Sequence, residues 1–333
     1  MIEVSDLHKS FVKYEKEPGL IGTIKGFFNA KKVVKKAVDG VSFSINEGEI
    51  VGYIGANGAG KSTTIKILTG ILTPTSGSVL VNGICPYKNR TQNAYNIGVV
   101  FGQRTQLWWD LPLIESFGIL KEIYGVSDDD FNQRMEFFNE VLEINEFIKS
   151  PVRTLSLGQR MRADIAASLL HNPKVLYLDE PTIGLDVVAK QKMRDAIKFM
   201  NKKFNTTVIL TTHDLDDIEE LCNRIIIIDN GKTMYEGTIR DIKDNYGYIK
   251  NVTYEVIADE ISLDLSQFGL SDDDLNYKVD YKTISINFNK HKISVSDITA
   301  YIMSQYKVVD MSVNEQDIET LVGNIYKYGV NNA

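Results

Sequence analysis

The sequence predicts an α/β protein with a mostly parallel sheet, a helical insertion and a small α+β domain at its C-terminal end. Short apolar runs recur through the first 240 residues and are separated by helical or loop segments; the runs are residues 50–54, 79–81, 99–101, 175–178, 208–211 and 225–228. Near-continuous apolar runs of this length are typical of parallel strands, because both faces of such a sheet are covered. A chain of 333 residues has room for about two domains.

Two segments depart from that pattern. Residues 104–170 predict the helical insertion, because apolar residues recur there at helical spacing, for example from Phe131 to Leu142. The C-terminal segment has alternating apolar positions at 252–256, 284–288 and 309–313, with helical segments starting near residues 296 and 314. The predicted domains are therefore residues 1–240 and an accessory α+β domain at residues 241–333.

Residues 11–37 form an unusual segment near the start of the chain. Apolar residues fall at helical spacing, and lysines follow them; the apolar positions are Leu20, Ile21, Ile24, Phe27 and Phe28, and the lysines are Lys31, Lys32, Lys35 and Lys36. One interpretation is a basic amphipathic helix at a membrane surface. The favoured one is a helix packed on the protein's own core with a solvated lysine face.

Composition restricts the function classes. The net charge of −7 and the pI near 5.3 argue against a protein that binds nucleic acid by neutralising phosphates. The two cysteines, Cys85 and Cys222, lie far apart and predict reduced thiols rather than a disulfide. No apolar stretch approaches the roughly 20 residues needed to span a bilayer, and the acidic N-terminus lacks a signal-peptide core. We therefore expect any membrane role to depend on a partner.

Residues 55–62 (Gly-Ala-Asn-Gly-Ala-Gly-Lys-Ser) fit the phosphate-binding pattern G-x-x-x-x-G-K-[ST]. An apolar run precedes this glycine loop and a helical segment follows it, which is the context that the motif requires. The glycines allow backbone N–H groups to face phosphate oxygens at a helix N-terminus. Lys61 would reach the β- and γ-phosphates, and the Ser62 hydroxyl would bind Mg²⁺. The loop predicts binding of a nucleoside triphosphate.

Two carboxylates follow the apolar run at 175–178. Asp179 at the strand end suits coordination of Mg²⁺, which prefers hard oxygen ligands. Glu180 is placed to polarise a water for attack on the γ-phosphate. The alternative is a helix N-terminus at which acidic residues are favoured by the helix dipole.

Ser156 and Gln159 have the spacing of a capping box at the start of a helix. A capped helix N-terminus with a free hydroxyl and a glycine, here Gly158, is also an anion site. Taken alone, the segment fits a simple helix start equally well.

In combination, these motifs resemble the ATP-binding subunits of ABC transporters over residues 1–240. The family's Q-loop glutamine is matched by Gln103, its LSGGQ signature by residues 155–159, its D-loop by residues 184–186 and its switch histidine by His213. The signature has Leu157 where glycine is usual. The D-loop has Ile183 where serine is common, so a contact by that side chain is not expected.

The resemblance implies an ATPase with a P-loop NTPase core, ATP as substrate and Mg²⁺ as cofactor. The implied catalytic residues are Glu180, His213, Gln103 and Lys61, and the implied metal ligands are Ser62, Gln103 and Asp179. The implied nucleotide-binding residues are Phe11, Gly55, Asn57, Gly58, Ala59, Gly60, Lys61, Ser62, Thr63, Ser156, Gly158, Gln159 and Asp186. Phe11 would stack on adenine; the alternative is a core position.

The resemblance also implies partners. Two such subunits, identical or related, would pack head to tail, with each ATP between the glycine loop of one and residues 156–159 of the other. An integral membrane permease on a separate chain would hold the pair at the cytoplasmic face of the cell membrane, and no nucleic acid is expected. Trp108 and Trp109 fit either anchoring of that permease or burial in the helical insertion. The chain is similar to ABC-2-type exporters, among them viologen and multidrug exporters; the alternatives are an importer ATPase and a soluble ABC ATPase without a transport role.

Overall fold

The computed structural model describes residues 1–15, 31–102 and 104–328. The chain divides into two compact units, Met1–Gly237 and Thr238–Ala333. Gln103 and the helix expected at residues 20–28 lie outside the described residues.

The first unit contains two sheets and a set of helices. Its strands are β1 (Ile2–Glu15), β2 (Lys31–Ile45), β3 (Ile50–Gly55), β4 (Ser76–Val81), β5 (Ile97–Phe101), β6 (Val175–Asp179), β7 (Thr207–Thr211), β8 (Arg224–Asp229) and β9 (Lys232–Thr238). Its helices are α1 (Lys61–Leu68), α2 (Arg90–Asn96), α3 (Leu113–Tyr124), α4 (Asp128–Leu142), α5 (Leu157–Leu169), α6 (Val187–Phe204) and α7 (Leu215–Leu221).

The larger sheet positions the candidate site. Its strand order is β5-β6-β7-β3-β8-β9. Strands β5, β6, β7, β3 and β8 pair in parallel, as the apolar runs predict. The carboxyl ends of β6, β7 and β3 are therefore neighbours at one edge of the sheet, where ligands bind in open α/β sheets.

The run at 79–81 was expected to join the parallel sheet, and this expectation is wrong. Strand β4 pairs antiparallel with β1 in a separate three-stranded sheet of order β2-β1-β4. Apolar residues of this second sheet, among them Ile2, Val41 and Val79, pack with Tyr53 and Ile226 of the parallel sheet in one hydrophobic core. A run of three apolar residues does not reveal which sheet it joins, because both environments bury it.

The lysines near residue 35 lie on a strand and not on the solvated face of a helix. Strand β1 extends to Glu15 and β2 begins at Lys31, and Phe11 pairs with Lys35 across the two strands. The β-branched Val33 and Val34 favour this extended conformation, and the pairing gives backbone hydrogen-bond partners to both strands. The lysines of the predicted helix face therefore lie on β2, which pairs antiparallel with β1.

The helical insertion follows its predicted spacing at α4. Ser127 caps this helix by accepting a hydrogen bond from the Asp130 N–H at 3.1 Å. The apolar residues Phe137, Phe138 and Leu142 are buried. An αL residue, Glu143, ends the helix.

The second unit is an antiparallel sheet with helices. Its strands are β10 (Ile249–Ile257), β11 (Leu275–Asp280), β12 (Thr283–Asn289) and β13 (Lys307–Glu315) in the order β11-β12-β10-β13, and its helices are α8 (Ile239–Tyr246), α9 (Val295–Gln305) and α10 (Ile318–Tyr328). Strand β11 was not anticipated. The helix expected near residue 314 begins at Ile318, because residues through Glu315 pair with β10.

Candidate active site

The glycine loop joins β3 to α1 at the carboxyl edge of the parallel sheet. Gly60 precedes the helix with φ 114°, and a Cβ at this position would lie 2.4 Å from the carbonyl oxygen of Ala37. Only glycine fits that conformation and that close approach. Ala56, Asn57 and Gly58 are exposed, whereas Gly55, Ala59 and Gly60 are buried.

Lys61 is the first residue of α1 and is 7% exposed. Its ammonium donates to the carbonyl of Gly55 and, at 3.4 Å, to that of Ala56. Burial lowers the pKa of Lys61, while the negative charges of Glu180 and Asp179 oppose this shift. Ser62 is exposed and Thr63 is partly exposed on the same first turn.

The strands β6 and β7 bring the two carboxylates and the histidine beside this loop. Asp179 pairs with Thr211 in the β-ladder, and the Thr211 hydroxyl donates to Asp179 Oδ1. Glu180 follows with φ 58°, and its N–H donates to the Thr211 carbonyl at 2.8 Å. His213 Nε2 lies 3.1 Å from Glu180 Oε1. Lys61, Asp179, Glu180 and His213 thus come together at one edge of the sheet.

Burial raises the pKa of Glu180, and the charges of His213 and Lys61 oppose that shift. The Glu180 side chain is 20% exposed and that of His213 is 49% exposed. A partly desolvated carboxylate with a raised pKa, adjacent to an imidazole, has the properties of a general base. Glu180 does not cap a helix, since α6 begins only at Val187.

The signature segment starts α5. The predicted capping box is confirmed: Ser156 Oγ accepts from the Gln159 N–H at 3.2 Å, and Gln159 Oε1 accepts from the Ser156 N–H at 2.9 Å. Ser156 remains exposed, and Gly158 is partly exposed. Helix α5 has thirteen residues, and its N-terminus is exposed and capped. Such a helix N-terminus is suited to binding an anion.

The D-loop packs against the signature segment within the same chain. A Cβ on Gly184 would lie 2.9 Å from Leu157 Cδ2. The leucine that departs from the family's signature therefore contacts the D-loop backbone. Asp186 caps α6 by accepting from the Ala189 N–H at 2.8 Å, which gives this predicted nucleotide-binding residue a structural role as well.

Sequence reasoning missed a buried ionic cluster behind His213. The Asp217 carboxylate on α7 is fully buried and accepts from Arg194 Nε at 2.6 Å and from the Thr212 hydroxyl at 3.3 Å. It also accepts from the hydroxyl of Thr182, between Glu180 and the D-loop. The Asp217 carboxylate thus links Thr182, which follows Glu180, and Thr212, which precedes His213, to Arg194 on α6. The signal was present in the sequence, since Asp217 falls on the apolar face with Leu221.

Replacing Asp217 by alanine is expected to lower the free energy of unfolding by about 3–5 kcal/mol, because it leaves Arg194 buried without its closest partner. Urea denaturation monitored by circular dichroism measures the change. Asp216→Ala on the exposed side of the same helix turn is the matched control and is expected to cost less than about 1 kcal/mol. Equal effects of the two variants would contradict the role of the buried pair.

The predicted aromatic contacts lie on the surface. Phe11 is 41% exposed, so the core alternative is wrong, and Lys9 Nζ lies 5.3 Å from its ring centroid. Trp108 and Trp109 are 37% and 49% exposed. The alternative that the two tryptophans are buried in the helical insertion is therefore wrong.

Comparisons with known proteins agree with this architecture. The ABC transporter family model matches residues 38–183. The linearmycin resistance ATP-binding protein LnrL of Bacillus subtilis is 30% identical over 305 residues, which cover 91% of this chain and 96% of that protein. The cholesterol transporter ABCA5 of Rattus norvegicus is 34% identical over 223 residues, or 67% of this chain. This chain spans only 14% of the length of that transporter.

Among solved structures, the chain is similar to the ATP-binding cassette MJ0796, determined as a dimer in a post-hydrolysis state bound to ADP and Pi. The TM-score is 0.60 at 25% identity, with 72% of this chain and 99% of that one covered. The predicted P-loop ATPase fold is thus confirmed. With LnrL matched over nearly its whole length, the chain belongs to the ATP-binding proteins of ABC transporters.

Proposed function

We propose that the chain is the ATP-hydrolysing subunit of a membrane exporter and works as a dimer of such subunits. The observation that carries the proposal is the convergence of Lys61, Asp179, Glu180 and His213 on one sheet edge, with His213 Nε2 3.1 Å from Glu180 Oε1. Phosphoryl transfer requires positioned charge and a base for the attacking water, and these four side chains supply both.

Each side chain has a separate task in this proposal. Lys61 balances negative charge on the β- and γ-phosphates when its ammonium leaves the loop carbonyls for phosphate oxygens. Glu180 accepts the proton of the attacking water, for which its raised pKa is suited. His213 contacts the Glu180 carboxylate through Nε2 and would turn its N–H toward the γ-phosphate when ATP is bound.

The donor set fits Mg²⁺. Asp179 and Ser62 offer a carboxylate and a hydroxyl oxygen, and the Thr211 hydroxyl orients Asp179 Oδ1. Mg²⁺ in nucleotide sites takes few protein ligands, keeps waters and uses substrate phosphates. When bound, the ion would neutralise charge on the transferred phosphoryl group. Gln103 is proposed as a further ligand on the resemblance alone.

The second half of each site is proposed to come from another subunit. Ser156 and Gly158 lie at an accessible helix N-terminus, and the cassette MJ0796 is a dimer in its ADP-bound and Pi-bound state. ATP would hold two subunits together, and hydrolysis would release them. Ligand binding and hydrolysis then shift the population between closed and open dimers.

Export and a permease partner rest on two observations. The relative LnrL is named a linearmycin resistance protein, and removal of a toxic compound is one route to resistance. Trp108 and Trp109 form an exposed aromatic pair, a residue type enriched at interface anchors. None of the helices in the described ranges is long and apolar enough to cross a bilayer. The proposed partner is an integral membrane permease on a separate chain, which would hold this chain at the cytoplasmic face of the cell membrane.

The purified chain is expected to hydrolyse Mg-ATP, and Lys61→Ala is expected to abolish this activity. A second experiment tests the permease partner. When a tagged chain is isolated in detergent, a polytopic membrane protein is expected to co-purify with it. Trp109→Ala should weaken that association without loss of ATPase activity, whereas Tyr281→Ala, an aromatic with 84% exposure in the second unit, should not. Recovery of a soluble receptor with the complex would favour import, and recovery of no membrane protein would contradict a transport role.

A further inference from the structure

The Asp164 carboxylate is buried in α5, eight residues after the signature Ser156. Its neighbours Ala163, Ile165 and Ala166 are buried apolar residues, and Asp164 itself is 5% exposed. Burial raises the pKa of Asp164 to about 6, against the opposing effects of Thr105, Gln106 and Arg160. The raised pKa means that the ionised side chain is less stable here than in water. An apolar residue would be the simpler choice for this helix face.

The Asp164 carboxylate accepts hydrogen bonds from the segment that follows Gln103. Thr105 Oγ1 donates to Asp164 Oδ1 at 2.8 Å, and the Gln106 N–H donates to the same oxygen at 3.2 Å. Gln106 Nε2 also donates to the Asp164 backbone carbonyl at 3.2 Å. The Leu107 N–H in turn donates to Thr105 Oγ1 at 3.1 Å. Asp164 therefore holds Thr105 and Gln106 directly, and it holds Leu107 through the Thr105 hydroxyl.

The anchored segment lies between two candidate functional regions. On its N-terminal side, the Gly102 N–H donates to the Asp179 carbonyl at 2.8 Å, next to the proposed base. On its C-terminal side, Arg160 of α5 lies 5.7 Å from the Trp109 ring centroid, and the Trp109 carbonyl accepts from the Arg153 N–H at 2.9 Å. Gly102 thus contacts the sheet edge, whereas Thr105, Gln106 and Trp109 contact α5.

We propose that Asp164 is a positioning residue that holds residues 105–107 on the signature helix, so that this segment and Ser156 move as one body. The inference rests on the proposed ATPase function. In this role the buried Asp164 carboxylate couples the segment after Gln103 to α5, the helix whose N-terminus meets the nucleotide of the second subunit. Loss of the anchor displaces both from the reacting groups without removing any group that touches ATP.

The test compares Asp164→Ala, Asp164→Asn and Thr105→Val in the full chain. The alanine variant is expected to lower kcat by about 10- to 100-fold, the range of small misplacements in active sites, with KM for ATP nearly unchanged. Asparagine keeps an oxygen that accepts from Thr105 and Gln106, so it is expected to restore activity. Thr105→Val is nearly isosteric but lacks the hydroxyl. It should also lower kcat, and the double variant should lose less than the sum of the two single losses, since both remove the Thr105–Asp164 hydrogen bond. Glu140→Gln, exposed on α4, is the control.

A second readout does not depend on catalysis. Trp108 and Trp109 are the two tryptophans of the chain, so intrinsic fluorescence reports the anchored segment. Protonation of Asp164 changes its contact with Thr105, so the fluorescence of the wild-type protein is expected to change near pH 6. The fluorescence of Asp164→Asn is expected to show no such change. Arg160 is the charged group that acts on Asp164 among the described residues.

Stability follows the same titration. Because the folded-state pKa lies above the ordinary value of 3.8, the protonated form favours folding, and this contribution is lost as the pH rises through about 6. The Tm of the wild-type protein is therefore expected to fall relative to that of Asp164→Asn between about pH 4 and about pH 7, and to stay level with further increase in pH.

Two results would overturn the proposal: wild-type kcat with unchanged fluorescence in Asp164→Ala, or additive losses in the double variant. If Asp164→Ala does not fold, Thr105→Val and the fluorescence titration decide. Absence of ATP hydrolysis by the wild-type chain would instead reject the proposed function, and the fluorescence titration would still test the anchor.

Discussion

Replacing Glu180 by glutamine is expected to abolish steady-state ATP hydrolysis while ATP binding is retained. Glutamine has the shape of glutamate and keeps a polar contact with His213, but it does not accept the proton of the attacking water. Loss of a general base typically costs roughly 10²–10⁴-fold in rate. Because the γ-phosphate then stays in place, the ATP-bound dimer should persist. Phosphate release and size-exclusion chromatography in Mg-ATP measure the two effects.

Glu136→Gln, exposed on α4, is the matched control and should behave like the wild-type chain. The pH profile gives an independent check on the base. Burial raises the pKa of Glu180, and a base must be ionised to act. Activity should therefore fall with decreasing pH at a higher pH than an ordinary glutamate would give. Retained turnover in Glu180→Gln would remove this residue from the role of base.

The glycine loop and the capping box could be predicted from the sequence because their interactions are local. Strand β3, residues 55–60 and α1 are contiguous, and the hydrogen bonds between Ser156 and Gln159 span three residues. Such patterns carry their own conformational reasons, namely glycine at positive φ and a side chain that caps a helix. Local chemistry of this kind is readable without knowledge of the rest of the fold.

Interactions between distant segments could not be predicted in the same way. Strand β4 pairs with β1 and does not join the expected parallel sheet; the paired residues are 68 to 79 positions apart in the sequence. Asp217 and Arg194, 23 residues apart, meet only once α6 and α7 pack. Asp164 and Thr105 are 59 residues apart. In each case one residue's role depends on a partner whose position is set by the whole fold.

Replacing Ser156 by arginine is expected to suppress hydrolysis although Lys61, Asp179 and Glu180 remain intact. The bulky cation would occupy the place where the signature helix approaches the second subunit's γ-phosphate. In a shared-site dimer, each site combines the Glu180 of one subunit with the Ser156 of the other. Two inactive variants, Ser156→Arg and Glu180→Gln, therefore complement each other in a mixed dimer: one site has both mutations and the other has neither.

Random assortment of equal amounts of the two variants gives half mixed dimers, each with one intact site, so about a quarter of wild-type activity should return. Mixing each variant with itself is the control and should restore nothing. If every subunit completed its own site, the mixture would stay as inactive as its components. Recovery on mixing depends on both the location of the base and the origin of the signature serine. It therefore separates a nucleotide site built between subunits from one built within a single chain, which neither variant does alone.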